Sequence, residues 1–384
     1  MNTFAVFLAA ILVSVVAPDT FAETYPSRPI RLIVPFPQGG GPGSRRGGCF
    51  WGGDGALPPG WWHGAIRRMA VAMFALPLFC VGTVAAQQYP TRPIRLIVPF
   101  PPGGGTDIMS RIIGVPVSQS LGQTVVVDNR PGAGGALGAE LAAQAEPDGY
   151  TLVTVSSSYS ASAAYRTPPY DPVNGIQPII LIGTTGLVMA VHPSVPVKSV
   201  SELISHARAN VGKLNYASVG TGSVTHLAHE LFKLETRINL VHVPYKGGGP
   251  ALNALVAGEV QVTTISLVAT LPHWRAGRLR PLGITTPTRA GLLPEVPTIS
   301  ETVPGFEVIH WYGIWGPRGL PKAIVARWNQ EVGKVLLTDE MRARTKAEGL
   351  EAGGGPPENL GAIIRRDVER WRRTVKEARI EREG

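Results

Sequence analysis

Cysteine is almost missing from this chain: of 384 residues only Cys49 and Cys80 carry a thiol, and both precede Gln87. From Gln87 onward neither a disulfide framework nor thiolate chemistry is available. Long hydrophobic runs are missing as well. The two apolar stretches, 4–17 and 70–86, fall short of the ~20 residues a spanning helix needs, and nothing after Gln87 is long and apolar enough to cross a bilayer. The phosphate-cradling Gly-x4-Gly-Lys-[Ser/Thr] loop and the Gly-x-Ser-x-Gly nucleophile elbow are both absent. Two glycine clusters approach a dinucleotide fingerprint and fail at its third position, where Leu137 follows Gly132 and Gly134, and Thr225 follows Gly220 and Gly222. His226 and His229, beside Glu230, match neither zinc-protease order, so packing or capping is expected of them rather than metal binding. The run Ser156 to Ser158 has no evident histidine partner in sequence. No basic run is interleaved with aromatics in the manner of single-strand binders. These absences point away from nucleotides, metals, cofactors and nucleic acid.

What is present is a basic, loop-rich globular chain. The formal charge is +9; with six basic and three acidic residues before Gln87, the remainder carries +6, compatible with a small anionic ligand or with no specific partner. Hydrophobic residues make up 44%, enough for a buried core, and the length allows two to three domains. The 46 glycines and 35 prolines fall mostly in short turns between apolar runs.

The N-terminal part is written twice. Residues 25–41 recur as 89–105, differing only at Ser27/Thr91 and Gln38/Pro102. Each copy follows an apolar stretch. The second stretch has a basic flank (Arg67-Arg68), an apolar middle and a small-residue end (Val84-Ala85-Ala86), the three parts of a signal peptide; the first, ending Thr20-Phe21-Ala22, lacks the basic flank. Between the copies lies an aperiodic segment rich in Gly, Arg, Trp and Pro. We expect residues 1–68 to be a remnant of a neighbouring paralogue, 69–86 the signal peptide, and the working chain to begin near Gln87. The alternative is a genuine N-terminal extension. The copy at 35–41 runs into Pro42-Gly-Ser-Arg-Arg with no helix behind it, so it is expected to bind nothing.

After Gln87 short β-branched runs alternate with amphipathic helices, the pattern of parallel α/β layers. Strands are expected at 94–100, 125–128, 152–155, 179–182, 187–191, 214–217, 240–243, 260–265, 282–284 and 313–315. Helices are expected at 107–121, 136–145, 200–209, 223–234, 250–256, 322–336, 339–348 and 357–378. In the last helix Ile364, Val368, Trp371 and Val375 recur at helical spacing, which makes Trp371 core-facing and the arginines a solvated face.

Four strand-to-helix joints share one design: 101–107, 129–138, 218–226 and 244–250 each place glycines between an apolar strand and a helix start. Glycine permits a tight turn and close approach of a ligand, and the first-turn N–H groups and helix dipole favour an anion there. Thr106 or Asp107 is expected to cap the first helix and Ser223 the third. Tyr245 and Lys246, beside three glycines, are candidates for carboxylate contact, with packing the alternative for Tyr245.

With these motifs in order the chain resembles the Bug-type solute receptors of tripartite tricarboxylate transporters. The landmarks are Tyr89-Pro-x-Arg-Pro-Ile-Arg-Leu-Ile-Val-Pro-Phe-Pro-Pro-Gly-Gly-Gly-Thr-Asp107, Asn129-Arg-Pro-Gly-Ala-Gly-Gly135, Pro147-Asp-Gly-Tyr-Thr-Leu152, Tyr170-Asp-Pro172, Tyr216-Ala-Ser218, His242-Val-Pro-Tyr-Lys-Gly247, Gly258-Glu-Val-Gln-Val262, Leu293-Pro-Glu-Val-Pro-Thr298 and Trp311-Tyr-Gly313. The resemblance covers about 89–380. It implies a periplasmic binding protein of type II, the flytrap, with two α/β domains joined by two crossover strands: 89–191 and 286–384 forming one domain and 192–285 the other. It implies a non-catalytic, periplasmic monomer without cofactor that captures a small carboxylate for membrane permease subunits; a sensor receptor and an α/β enzyme are the alternatives. Carried over residue by residue, it places Gly103, Gly104, Gly105, Thr106 and Asp107 on one wall of the site. Ser218, Gly220, Thr221, Gly222 and Ser223 form the other, and Ser156 and Ser158 lie at a ligand-facing strand end. Two departures stand out: Thr263-Thr264-Ile265-Ser266 where Asp or Asn is frequent after Val-Gln-Val, and Asn174-Gly-Ile176 where Asp-Phe is usual. The first leaves the cleft less acidic, which disfavours an amino-acid ligand.

Overall fold

Residues 89–347 and 349–382 are described by the computed structural model; both leader-like segments and the first copy of the repeat lie outside the described residues. In chain order the first lobe contains β1 (Ile94–Val98), α1 (Gly105–Leu121), β2 (Val125–Asn129), α2 (Ala136–Ala143), β3 (Thr151–Ser156) and α3 (Ser158–Tyr165). The long β4 (Ile176–Val191) leads away to α4 (Val200–Ala209), β5 (Asn215–Ser218), α5 (Val224–Thr236), β6 (Val241–Pro244), α6 (Gly248–Ala257), β7 (Val262–Ser266), α7 (Leu267–Arg275) and β8 (Arg280–Ile284). The chain returns through β9 (Ile309–Pro317) and ends with α8 (Lys322–Leu337), α9 (Asp339–Ala347), β10 (Glu351–Ala352) and α10 (Pro357–Glu377).

β1 is apolar on both faces: Ile94, Leu96, Ile97 and Val98 are all buried, as expected of a strand covered by helices on each side. It pairs in parallel with β2 and β3, and α1 and α2 supply the crossovers that parallel neighbours require. β9 then pairs antiparallel with β3 and with β4. In the second lobe β5 pairs in parallel with β6 and β7, while β7 and β8 flank β4 antiparallel.

β4 belongs to both lobes. Its residues up to Gly186 pair with β9, and those from Leu187 pair with β7. The return crossing runs from β8 to β9 and is pinned to β4 by one buried side chain. Thr285 Oγ1 accepts from Leu187 N–H at 2.9 Å and donates to the Val308 carbonyl at 2.6 Å. The molecule is therefore two α/β lobes connected by two crossing strands.

The structure departs from the sequence-based expectation in several elements. One strand of 16 residues replaces the two expected at 179–182 and 187–191. Gly183 and Gly186 looked like a turn, but within a strand glycine also marks close backbone approach. A Cβ at Gly183 would lie 2.4 Å from the Glu351 carbonyl, and one at Gly186 2.3 Å from Ile284 Cγ1. Helices α3 and α7 are additional. α3, Ser-Tyr-Ser-Ala-Ser-Ala-Ala-Tyr, is buried along its whole length and so shows no apolar stripe. β9 extends over nine residues rather than three.

Two hydrophobic clusters share the last helix. One gathers β1, β3, β9 and, from α10, Leu360, Ile364 and Val368; the other gathers the second lobe's strands and helices with Trp371 and Val375 of the same helix. Trp371 is buried, as its spacing predicted. Trp311, fully buried on β9, donates from Nε1 to Asp367 Oδ2 on α10 at 2.6 Å. Burial raises the Asp367 carboxyl above its usual range, against the pull of that N–H. Trp311→Phe removes the donor and leaves a buried acceptor short of a partner, a loss of about 1–3 kcal/mol. At ~2–4 °C per kcal/mol for a chain of this size, thermal unfolding followed by circular dichroism is expected to show a midpoint several degrees lower.

Candidate functional site

All four glycine joints meet where the lobes face each other. α1 begins at Gly105, two residues earlier than expected, with Gly104 at its N-cap and no side-chain cap. Thr106 and Asp107 therefore sit inside the first turn rather than capping it. Asp107 instead fixes the loop in front of the helix: its carboxylate accepts from Gly103 N–H at 3.0 Å, Arg111 Nε at 3.0 Å and Asn129 Nδ2 at 2.9 Å. Burial opposes its ionisation, but the hydrogen bonds from Arg111, Asn129 and Gly103 outweigh it and hold the carboxyl below its usual range. Asp107 is 3% exposed and does not line the cleft, so it positions the first wall rather than forming it. The N–H groups of Gly105 and Thr106 have no acceptor among the described residues.

The joint after β5 is turned on itself. Ser218 Oγ accepts from Gly220 N–H at 3.2 Å and bonds His242 Nε2 at 2.6 Å. Ser223 Oγ donates to the Gly220 carbonyl at 2.6 Å and, as the expected N-cap of α5, accepts from His226 N–H at 3.3 Å. Gly222 N–H donates to His226 Nδ1 at 3.2 Å, and Thr225 Oγ1 accepts from Val219 N–H at 2.9 Å. Beneath this loop four rings stack: His226 on His242 at 4.1 Å, His242 on Tyr216 at 4.9 Å and Tyr216 on His229 at 4.1 Å. The histidines pack and cap, as expected, and burial keeps them neutral. It pushes His242 down to about 3, with the neighbouring histidines adding to the effect. It pushes His229 to about 4 against a hydrogen bond to the Thr225 carbonyl.

The lobes touch through backbone. A Cβ on Gly134, in the second joint, would lie 2.7 Å from the Thr221 carbonyl and 3.3 Å from Ser223 N. One on Gly220 would lie 3.1 Å from Gly134 Cα, and one on Gly247 2.5 Å from Pro101 Cδ. Glycine at these positions lets the four joints pack main chain against main chain.

Within this contact lies an inner cavity of about 30 Å³. The first lobe lines it with Phe100, Gly104, Gly105, Thr106, Ser156 and Ser158; the second with Val219, Val224, Thr225, Gly248, Ile265 and Ser266; the crossing strands with Leu187, His310 and Tyr312. None of these side chains is an aspartate, glutamate, lysine or arginine. The hydroxyls of Thr106 and Ser156 have no partner among the described residues. Ser158 Oγ accepts from Val224 N–H at 3.3 Å across the cleft, and Ser266 Oγ shares a hydrogen bond of 2.8 Å with Tyr312 Oη. His310 is buried, held at Nδ1 by Ser157 Oγ at 2.5 Å, and pushed down to about 3 by burial, so it is neutral. When Ser157 donates to Nδ1, the proton sits on Nε2. Nothing described accepts from that atom.

Of the residues singled out from sequence, Gly104, Gly105, Thr106, Ser156 and Ser158 line this cavity. Gly220, Thr221 and Tyr245 line a second, outer cavity. Gly103, Asp107, Ser218, Gly222 and Ser223 line neither and act within their loops. Tyr245 is raised above its usual range by burial and by the nearby Glu259 carboxylate. The residues sequence reading missed come from the crossing strands, Leu187, His310 and Tyr312, while Ile265 and Ser266 at the end of β7 fall in the stretch it had assigned to the cleft. The Trp311-Tyr-Gly313 landmark was the available signal for that region. Ser157 does have a histidine partner, at a separation of 153 residues, but Ser157 is fully buried and outside the cavity lining. Among the described residues no cluster of His, Cys, Asp or Glu is placed to hold a metal, and no helix is long and apolar enough to cross a membrane.

Two α/β lobes, two crossing strands and a cavity between glycine joints define a type II periplasmic binding protein, the flytrap class. The chain belongs to the tripartite tricarboxylate transporter family of receptors, whose family model matches residues 109–380. A curated relative from a Pseudomonas species, a UPF0065 protein of the tcbD–tcbE intergenic region, is 38% identical over 82% of this chain and 95% of its own length. Protein BugT of Bordetella pertussis is 34% identical over 81% of this chain and 97% of its own. Among solved structures, an R. palustris protein with adipate superposes with a TM-score of 0.73 at 38% identity, covering 76% of this chain and 98% of that one. MatC from Rhodopseudomonas palustris, with bound malate, gives a TM-score of 0.72 at 32% identity over 75% and 100% of the two chains. These family members are binding proteins of Bug type rather than enzymes.

Proposed function

We propose that this protein captures a small carboxylate in the periplasm and passes it to the membrane subunits of a tripartite tricarboxylate transporter, without catalysis. The observation that carries this reading is the pair of unclaimed first-turn amides, Gly105 and Thr106, at the start of a 17-residue helix and on the wall of a cavity without charged side chains. Such amides, aided by the helix dipole, replace the water of an anion, and hydrogen bonds to an ionised acceptor are the strong ones. The lobe taken to move is 192–285, against 89–191 and 286–382. The neutral His310 and the hydroxyls of Thr106 and Ser156 add donors. The absence of an acidic side chain from the lining leaves an ammonium group without a counter-charge, so an amino acid is the poorer ligand. The carboxylates named with two solved relatives, adipate and malate, are of the proposed class.

A thermal-shift panel of mono-, di- and tricarboxylates tests this. At a ligand concentration 100 times Kd, stabilisation is about 2.7 kcal/mol, a rise of several degrees. A panel without any shift, or chemical turnover of the acid that binds, would overturn the reading.

A further inference from the structure

His226 lies where the two lobes meet, yet it lines neither cavity. It sits in the first turn of α5, in the second lobe, and is 6% exposed. Its Nδ1 accepts from Gly222 N–H at 3.2 Å. That bond keeps the lone pair on Nδ1 and, in the neutral ring, the proton on Nε2. Tyr165, at the end of α3 in the first lobe, meets the same ring edge-on, with centroids 6.0 Å apart and planes at 90°. Gly222 is held between the two: a Cβ on it would lie 2.5 Å from Tyr165 Cδ1. Ser158 Oγ, accepting from Val224 N–H, ties the same two helices. One imidazole thus joins the second wall of the cleft to the opposite lobe. The titratable and charged groups around it are His229, Glu230 and Lys233 on α5, Tyr216 on β5, His242 on β6, and Tyr165 on α3 with Arg166 just beyond it. The loop 218–223 carries none, and Arg370 of α10 faces Glu235 further along α5. Glu230 is engaged by Tyr216 Oη at 2.6 Å and Lys233 Nζ at 2.8 Å. Burial lowers the His226 pKa from its usual value, against the pull of the Glu230 carboxylate, so the ring is neutral.

We propose that His226 is an acid-operated latch on the cleft: the shut form needs its neutral ring, and a proton taken from solvent at Nδ1 opens the cleft and releases the ligand. This rests on the inner cavity taking a carboxylate. A protonated ring would point Nδ1–H at Gly222 N–H, donor against donor, in a space that Tyr165 closes from the other side. Where Gly222 and Tyr165 part, water reaches the ring and it regains the ordinary histidine pKa of about 6.5. The proton therefore binds the open form better, and closure expels it. Affinity is complete above about pH 6.5 and falls as pH drops below it, by up to about tenfold per pH unit.

The test is calorimetric titration of the full chain with acetate, adipate, malate and citrate at pH 7.5, 6.5 and 5.5, with circular dichroism to follow the fold at each pH. His226→Asn is the comparison, because asparagine offers Gly222 an acceptor and takes up no proton. Dividing one protein's pH dependence by the other's cancels the ionisation of the acid and of the remaining histidines. From pH 7.5 to 5.5 the wild type is expected to lose about tenfold more affinity than the variant. At pH 6.5, paired titrations in two buffers of different ionisation enthalpy are expected to show the wild type releasing about half a proton as it binds. Equal pH dependence in the two proteins would overturn the latch alone. So would binding by the wild type without proton release, a result that needs no variant. Binding of none of the acids at any pH would overturn the carboxylate reading of the inner cavity and the latch with it.

Discussion

Gly134→Ala is expected to lower ligand affinity by at least about a hundredfold while leaving a folded protein. Gly134 has φ of 65°, and a Cβ there would sit 2.7 Å from the Thr221 carbonyl on the opposite lobe. Two costs follow, and they separate. Left-handed backbone costs an alanine about 1–2 kcal/mol whether the cleft is open or shut. The overlap with Thr221 arises only in the shut form, so it subtracts from binding; a hundredfold corresponds to about 2.7 kcal/mol. Gly103→Ala is the matched control, because Gly103 has φ of 85° and nothing within 4 Å of the added atom. It bears the backbone strain without the overlap. Melting curves and calorimetric titration of both variants with the best acid from the panel decide the matter. If the two variants lose stability alike and only Gly134→Ala loses affinity, closure through the glycine contact is established. Parallel loss of affinity in both would defeat it.

The second large effect concerns acidity. Stability is expected to fall steeply as pH drops below 6.5, well before carboxylates titrate. His229 and His310 are both buried, with their folded pKa values depressed to about 4 and about 3. In the unfolded chain each titrates near 6.5. Between those limits the unfolded state holds the extra protons, so stability is complete above about 6.5 and drains away towards the folded values. Each histidine contributes a slope of about 1.4 kcal/mol per pH unit. Together they remove roughly 4 kcal/mol by pH 5. His242, depressed to about 3, acts in the same direction. Urea unfolding at pH 7, 6 and 5 should show this loss. His310→Gln, which keeps a hydrogen-bonding group for Ser157, should flatten the slope by one histidine's share. A stability unchanged between pH 7 and 5 would refute the neutral, buried assignment.

How far the fold could be read in the sequence depended on contrast. Strands such as β1 and helices such as α10 announce themselves because apolar residues recur against polar ones or between prolines and glycines. α3 has no such contrast: its serines and alanines are all buried, so periodicity is silent. β4 misled because Gly183 and Gly186, which serve close approach of Glu351 and Ile284, carry the same local signature as a turn. At the site, the four glycine joints were visible because they are local, each a few residues between a strand and a helix. The remaining lining was not. Leu187, His310 and Tyr312 converge only because two strands cross between lobes, and that geometry depends on pairings separated by more than a hundred residues. The joint after β5 adds a further lesson. Its serines and glycines look like ligand donors in sequence, yet most of their hydrogen bonds are spent within the loop.

The straddling helix α10 determines how the molecule comes apart. Leu360, Ile364 and Val368 belong to one lobe's core and Trp371 and Val375 to the other's, on one continuous rod of 21 residues. α3 is shared in the same way, with Tyr159 and Ala163 on one side and Ala161 and Ala164 on the other. Neither core can melt without stripping the other of its cover. The two cores are thus coupled: they are expected to unfold as a single unit, with damage at Trp311 in one lobe and at His229 in the other registered in the same transition.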